Sequence, residues 1–183
     1  MIRAGRMAMG LGLACALAGG DAAAQPVYWS TVPMAAAHNE TGQVQALLLK
    51  GGADPDAIDS TSGRTALDWA ASFDNVTMAQ VLLAQGAHVD ARDPNGNTAL
   101  YWAAERGTLA MMRFLIAHKA AADAANRVGV TPLMAAADHT QPEAVRLLLA
   151  SGADPTKQDF TGRDAVGWAA GKPTVLQVFA AKR

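Results

Sequence analysis

The feature that most restricts the fold of this chain is a stretch of sequence that recurs every 33 residues. Its clearest copy occupies residues 129–155, and each copy starts with a glycine that is followed two residues later by a threonine or an aspartate. The marking pairs are Gly63 and Thr65, Gly96 and Thr98, Gly129 and Thr131, and Gly162 and Asp164. A period of this length predicts a stack of similar units, each burying its apolar face against its neighbours.

Each copy of the repeat predicts a tight turn, two short helices and a second turn. In the clearest copy, Thr131 is predicted to cap the first helix, and Pro132 takes the first helical position, where its missing N–H has no helical partner to lose. A second helix is predicted over residues 141–150, because alanine, valine and leucines there form a broad apolar face. Gly152 follows it, as a residue that readily adopts the left-handed conformation after a helix.

The interior and the end of the unit recur as well as its start. The first helix of each unit contains a pair of alanines: Ala70–Ala71, Ala103–Ala104, Ala136–Ala137 and Ala169–Ala170. A three-residue segment with a central alanine follows the second helix of each unit and begins at Gly52, Gly86, Lys119 and Gly152. The interval from Gly52 to Gly86 is 34 residues and not 33, which predicts one extra residue in the turn between Asp54 and Gly63. Lys119 stands at a glycine place, and the alanine after it predicts that the backbone keeps the left-handed path.

A period of 33 with a Gly-x-Thr-Pro-Leu opening and a Leu-Leu-x-x-Gly-Ala-Asp close resembles the ankyrin repeat. The resemblance covers about residues 27–183 and implies an all-α solenoid of helix-turn-helix units joined by hairpin-like turns. It implies four full repeats and a shortened C-terminal capping repeat, at about residues 27–58, 59–92, 93–125, 126–158 and 159–183. Where the family has a histidine after Thr-Pro-Leu, this chain has Asp68, Tyr101, Met134 and Gly167.

The two ends of the repeat region depart from the pattern, as expected of terminal units with one face towards water. Thr31 takes the capping place in the first unit, where the match is weak. In the last unit, four apolar residues are predicted to cover the end of the stack, and Lys182 and Arg183 to close a helix C-terminus. These four residues are Val175, Leu176, Val178 and Phe179.

Residues 1–24 have the pattern of a secretory signal peptide, and the repeat domain follows at residues 25–183. Arg3 and Arg6 form a basic start, residues 7–18 an apolar stretch, and residues 22–24 a small-residue cleavage site. The apolar stretch is too short and too rich in glycine for a membrane helix. The leader favours a periplasmic protein with no membrane insertion after cleavage. Cys15 leaves one alternative, a lipoprotein anchored to the envelope.

Composition and motifs exclude several classes of function. The net charge of −1 and the absence of any run of lysine or arginine predict no nucleic-acid partner. His38, His88, His118 and His139 stand at unlike places in different units, which predicts exposed histidines and no metal site. No nucleophile elbow, phosphate loop or dinucleotide fingerprint occurs, so we expect a protein that is not an enzyme and binds no cofactor.

Three tryptophans recur at one place of the unit, two residues after the leucine or valine that recurs at the repeat interval. Trp69, Trp102 and Trp168 occupy this place, and Ala135 takes it in the fourth unit. The resemblance puts the place on the first helix, on or near the concave side of the stack. Two interpretations stay open: each indole packs as ordinary core, or the row forms anchors for a binding partner, since tryptophan is enriched among residues that dominate interface energies.

Flanking places vary more than the framework does, which is typical of a scaffold that carries a binding site. The candidate contacts after the alanine pairs are Ser72, Glu105, Asp138 and Gly171, followed by Phe73, Arg106, His139 and Lys172. Those at the turn tips are Thr61, Pro94, Arg127 and Phe160, followed by Ser62, Asn95, Val128 and Thr161. The favoured partner-binding set combines the three tryptophans with Phe73, Glu105, Arg106, Asp138, His139, Arg127 and Phe160.

The function that these observations favour is an exported, non-catalytic module that binds a protein partner through its concave face and turn tips. The resemblance adds that exported bacterial ankyrin proteins act on periplasmic partners, by protecting catalase-type enzymes or neutralising toxins. Two alternatives remain. One is a small-molecule or enzymatic role at an aromatic pocket formed by Tyr101, Trp102 and Glu105, and the other is the lipoprotein anchored through Cys15.

Overall fold

The computed structural model describes residues 29–181, which form ten α-helices in five consecutive pairs. The predicted signal peptide, Cys15, Lys182 and Arg183 lie outside the described residues. The helices are α1 (Val32–Ala37), α2 (Thr41–Leu49), α3 (Ala66–Ser72), α4 (Val76–Ala84), α5 (Ala99–Arg106), α6 (Leu109–Ala117), α7 (Pro132–Asp138), α8 (Pro142–Ala150), α9 (Ala165–Trp168) and α10 (Pro173–Ala181). The predicted all-α repeat fold is therefore confirmed.

The first helix of each pair begins where the sequence places a capping side chain. The caps are Thr31, Thr65, Thr98, Thr131 and Asp164. Thr65 Oγ1 accepts a hydrogen bond from the backbone N–H of Asp68 at 3.1 Å, and Asp164 Oδ1 accepts one from Gly167 at 2.7 Å. Each cap gives an acceptor to an amide that the helix leaves unpaired. The capping role predicted for Thr131 is confirmed.

The second helices end in a common left-handed turn. Gly86, Lys119 and Gly152 have φ values of 91°, 69° and 91°, and the alanine that follows each of them donates its N–H back to a leucine carbonyl at 3.0 Å. The helix that precedes Gly152 starts at Pro142, within one residue of the predicted start. Lys119 therefore follows the same backbone path as the glycines, as predicted.

The first helices of neighbouring units pack closely together. The alanine pairs of α3, α5 and α7 are fully buried, and the lack of side-chain bulk lets neighbouring first helices approach one another. These helices pack together more extensively than the second helices do. The outer edges of α1, α3, α5, α7 and α9 and the turn tips form the side that the ankyrin resemblance predicts to be concave.

Carboxylates link each unit to the next along the turns. Asp90 accepts from the backbone N–H of Ala121 at 3.0 Å, and Asp123 accepts from that of Asp154 at 3.0 Å. Asp56 makes the same contact with His88. These bonds run between residues about one repeat apart, so each one fixes the register of a pair of units.

The extra residue of the second unit lies at the tip of its turn. The N–H of Gly63 reaches back four residues to the carbonyl of Asp59, whereas the N–H of Gly96 reaches back three residues to Asp93. The rest of the turn keeps the common pattern, because Asp59 and Asp93 each close it with one further backbone bond, to Arg64 and Asn97. The insertion therefore lengthens one tip without shifting the helices that follow.

The last helix closes the C-terminal end of the stack, as predicted. Val175, Val178 and Phe179 are buried against the core and Leu176 is half-buried. The helix before it, α9, is only four residues long. Within residues 29–181, none of the helices has the length and apolar character that crossing a bilayer requires.

Candidate functional site

The tryptophan row lies along the concave side with each indole half-buried. Trp69, Trp102 and Trp168 pack one part of the ring against the core and leave another part at the surface. Ala135, at the same place in the fourth unit, is buried. The row is thus neither a set of fully exposed anchors nor ordinary core, and it combines the two arrangements that the sequence left open.

Arginines cover the exposed faces of the indoles. The guanidinium of Arg64 lies between two rings, 4.6 Å from the centroid of Trp69 and 3.5 Å from that of Trp102. Arg163 lies over Trp168 at 4.2 Å. Guanidinium groups are attracted to the negative faces of aromatic rings, so these contacts hold both charges in place on the concave side.

The indole N–H of the last unit has an acceptor, unlike its two counterparts. Trp168 donates from Nε1 to Asp159 Oδ2 at 2.9 Å. This carboxylate also accepts from Thr161 and Arg163, and these hydrogen bonds, that of the Thr161 hydroxyl above all, lower the pKa of Asp159 to about 2. Among the described residues, the Nε1 atoms of Trp69 and Trp102 are buried without a partner.

The turn residues explain why these two indoles lack a partner. Asp59 and Asp93 hold the place of Asp159, but their Oδ2 atoms accept from Ser62 and Asn97 instead. Asn97 in turn accepts from Asn126 of the next unit at 2.9 Å. A polar side chain near the turn tip therefore takes the acceptor that the indole uses in the last unit.

A buried carboxylate lies beside Arg64 at the family's histidine place. Asp68 is 0% exposed; its Oδ2 accepts from the backbone N–H of Thr65 at 2.9 Å, and its Oδ1 has no partner in the described region. Burial raises the pKa of Asp68 to about 7, and Asp93 adds to the rise, while the Thr65 bonds and Arg64 oppose it. The cost of keeping a charge out of water explains the direction.

The surroundings of Trp102 bear on the predicted small-molecule pocket. Tyr101 meets Trp102 edge-on with 5.4 Å between the ring centroids, and burial raises the pKa of the Tyr101 phenol. Arg64 lies on one face of Trp102. A flat ligand stacked on that face would first have to displace the guanidinium.

The polar candidates beyond the tryptophans pair across neighbouring units. His139 Nε2 lies 3.9 Å from Glu105 Oε1, and Lys172 Nζ donates to Asp138 Oδ1 at 2.7 Å. Phe73 stacks on Trp69 at 5.8 Å between centroids and stays 44% exposed. Arg106 is exposed as well. The structure therefore pairs Glu105 with His139 and Asp138 with Lys172 across units, and Phe73 with Trp69 within one unit.

The turn tips form a second row, joined by backbone hydrogen bonds. The N–H of Arg127 donates to the carbonyl of Asn95 at 2.9 Å, and the N–H of Phe160 donates to that of Val128 at 3.1 Å. Pro94 holds the matching place one unit earlier and has no N–H to donate. The side chains of Phe160 and Val128 are 80% and 57% exposed, so the tips carry an apolar patch on a fixed backbone.

The histidines agree with the sequence-based prediction, since all four are exposed. His88 contacts the Asp56 carboxylate, which raises the pKa of its imidazole. In the region that the structure describes, no three residues among His, Cys, Asp and Glu come together in a way that could hold a metal ion.

The two arginines on the indoles lie at places that the repeat pattern does not mark as functional. Arg64 and Arg163 hold the variable place between the marking glycine and the cap, where the other units have Asn97 and Val130. Each arginine stands five residues before its tryptophan. This repeated spacing is the signal that points to the pairing.

Comparison with known proteins agrees with this geometry. A family model described as ankyrin repeats (3 copies) matches residues 10–93 and 86–159. No curated protein matched the sequence. Ankyrin repeats are generic modules of protein–protein interaction and are typically not catalytic. The family model spans well over half of the chain, and so does the stack of capped helix pairs, which means that this chain belongs to the ankyrin-repeat family.

Proposed function

We propose that this chain is an exported, non-catalytic module that binds a protein partner in the periplasm through its concave face and turn tips. The observation that carries the proposal is the exposed apolar surface at the tips. Phe160 and Val128 are 80% and 57% exposed on adjacent tips, and Phe73 is 44% exposed on the same side. Aromatic side chains that protrude from a surface are the typical anchors of protein interfaces.

The rigidity of this surface supports the proposal. The tip that carries Phe160 is hydrogen-bonded to the tip that carries Val128, and Asp159 fixes the turn by accepting from the N–H groups of Thr161 and Arg163. A partner that binds here has little backbone to order, and ordering is one of the main costs of association. The stacked Arg64 and the ion pair of Asp138 with Lys172 supply polar contacts around the apolar tips.

Export is supported by the sequence of residues 1–24, which precede the described region. Intact-mass and peptide mass spectrometry of the protein purified from its native envelope tests it. We expect a mature chain that begins at Gln25. A lipidated Cys15 at the N-terminus, or an intact leader, would contradict a free periplasmic protein.

Capture of the partner from periplasmic extract tests the binding proposal. Phe160→Ala removes the most exposed apolar side chain of the tips and should weaken capture by about tenfold or more. Leu49→Ala is the matched control, because Leu49 is 64% exposed at the end of a second helix, away from the concave side. Equal capture by both variants, or loss in the Leu49 variant alone, would contradict the proposal.

A further inference from the structure

The guanidinium of Arg64 is held in place but largely unused as a hydrogen-bond donor. Its central carbon Cζ lies over both indoles, 4.6 Å from the ring centroid of Trp69 and 3.5 Å from that of Trp102. Within residues 29–181, its one acceptor is Ser72 Oγ, at 3.2 Å from Nη1. An arginine carries several N–H donors in one plane, and stacking covers the faces of that plane while leaving its edge free. The contacts with both indoles therefore restrict the position of Arg64, and most of its donors have no acceptor among the described residues.

The indole N–H groups beside Arg64 are buried, so they report on changes at the guanidinium and do not themselves bind a ligand. Nε1 of Trp69 and Nε1 of Trp102 have no acceptor in the described part of the chain. The equivalent group in the last unit is satisfied, since Trp168 donates to Asp159 and Arg163 donates to Thr161 Oγ1 at 3.3 Å. Unpaired buried donors cost free energy, and native structures usually keep them few. An arginine thus lies over a tryptophan at two places in the described region, and the indole N–H has an acceptor only in the last unit.

Carboxylates of the chain lie near Arg64 without pairing with it. Glu105 and Asp68 both act on its charge, yet neither forms an ion pair with it among the described contacts. Asp68 is held by the N–H of Thr65, and Glu105 faces His139 of the next unit. Among the described residues, no carboxylate therefore pairs with the remaining donors of the guanidinium.

We propose that Arg64, clamped between Trp69 and Trp102, is a recognition site for a carboxylate side chain in an acidic segment of the partner protein. The planar fork of a guanidinium matches the two oxygens of a carboxylate, and the two indoles already restrict the position of this one. Glu105, Asp68 and Asp93 act on the charge of Arg64 at longer range, and they repel a doubly charged phosphate more than a singly charged carboxylate. This inference rests on the proposed function, since it names the chemistry of the same surface's partner.

Titration of the ¹⁵N-labelled full chain with a capped hexaglutamate peptide tests the inference. The indole N–H signals, assigned with single Trp→Phe variants, report each ring separately. We expect saturable shifts of the Trp69 and Trp102 signals, with the Trp168 signal unmoved as the internal control. Hexaglutamine, which has the same length without the charge, should shift none of them. Shifts of all three signals alike would indicate general attraction to charge and overturn the proposal.

Substitutions of Arg64 and Glu105 provide a second test. Arg64→Gln should weaken hexaglutamate binding by about tenfold or more, since it removes a charged donor. Arg64→Lys keeps the charge but loses the planar fork, so it should also weaken binding, whereas Arg113→Gln on the exposed side of α6 should not. Glu105→Gln should strengthen binding by removing a competing carboxylate. Unchanged affinity in both Arg64 variants, with a native Trp168 signal, would refute the proposal.

Two further results distinguish a carboxylate of a protein segment from that of a free amino acid, and this inference from the proposed function. Free glutamate at the same carboxylate concentration should bind much more weakly than the peptide, and equal binding would overturn the assignment to a protein segment. If partner capture depends on Phe160 while hexaglutamate moves no indole signal, this inference fails and the proposed function stands. If capture shows no dependence on Phe160, the proposed function fails whatever the peptide does.

Discussion

Replacement of Asp68 by asparagine should stabilise the protein above neutral pH and have little effect near pH 4. Asp68 is fully buried at the third position of α3, where one oxygen accepts from Thr65 and the other has no partner in the described structure. Asparagine has nearly the same shape, and its carbonyl oxygen can accept the same bond from Thr65. It differs in that it never carries the charge that burial opposes.

The magnitude follows from the raised pKa of Asp68. The folded-state value of about 7 lies above the ordinary value of 3.8, so the folded protein holds the proton more tightly than the unfolded chain does. The stability that this contributes is fully present below about pH 4 and is lost as the pH rises through 7. A rise from 3.8 to about 7 corresponds to about 4 kcal/mol of unfolding free energy by pH 8. The asparagine variant keeps this stability.

Urea unfolding of both proteins between pH 4.5 and pH 8 measures the difference. The variant's advantage should grow with pH by about 3 kcal/mol across this range, and the other carboxylates, which both proteins share, cancel. Glu143→Gln, at an exposed carboxylate in the first turn of α8, controls for the loss of one negative charge. An advantage that stays constant with pH, or a variant that is less stable at pH 8, would refute the argument and indicate that Arg64 keeps Asp68 ionised.

Three other predictions test the packing of the stack. Lys119→Gly should raise the free energy of unfolding by about 0.5 to 1 kcal/mol, because Lys119 adopts a φ of 69° that glycine adopts without strain; an unchanged or lower urea midpoint would contradict this. Gly129→Ala should cost about 1 to 3 kcal/mol more than Gly152→Ala by thermal unfolding, since both have positive φ but only at Gly129 would a Cβ lie 2.9 Å from the Cα of Asp159. Equal costs would contradict this and show that the next unit moves to make room for the added Cβ. Trp102→Ala should cost about 2 kcal/mol, less than for a fully buried tryptophan, and a cost near zero would show that the indole does not support the core.

The fold was predictable because its rules repeat along the chain. A capping threonine, an alanine pair and a left-handed closing residue each recur at a 33-residue interval, so every unit supports the interpretation of the others. Even the exception at Lys119 was readable from the alanine that follows it. Thr31 carried a weaker signal, and the structure places it as the cap of α1, a helix one residue shorter than α3.

The site was predictable only in part, because its contacts join residues of different units. The tryptophan places were visible in the sequence, but the position of Arg64 over Trp102 depends on a side chain from the previous unit reaching across the stack. The unpaired indoles depend on Ser62 and Asn97 taking the acceptors at the turns. Substitutions at such variable places leave the repeat pattern intact, so the pattern alone does not reveal them.

Hydrogen–deuterium exchange of the chain with and without its captured partner measures directly which side of the stack the partner covers. We predict slower exchange in α5, α7 and the tips that carry Asn95, Val128 and Phe160 when the partner is bound. The second helices α4, α6 and α8, which form the opposite side, should exchange as they do in the free protein. Protection confined to α4, α6 and α8, with the tips unchanged, would contradict binding through the concave face.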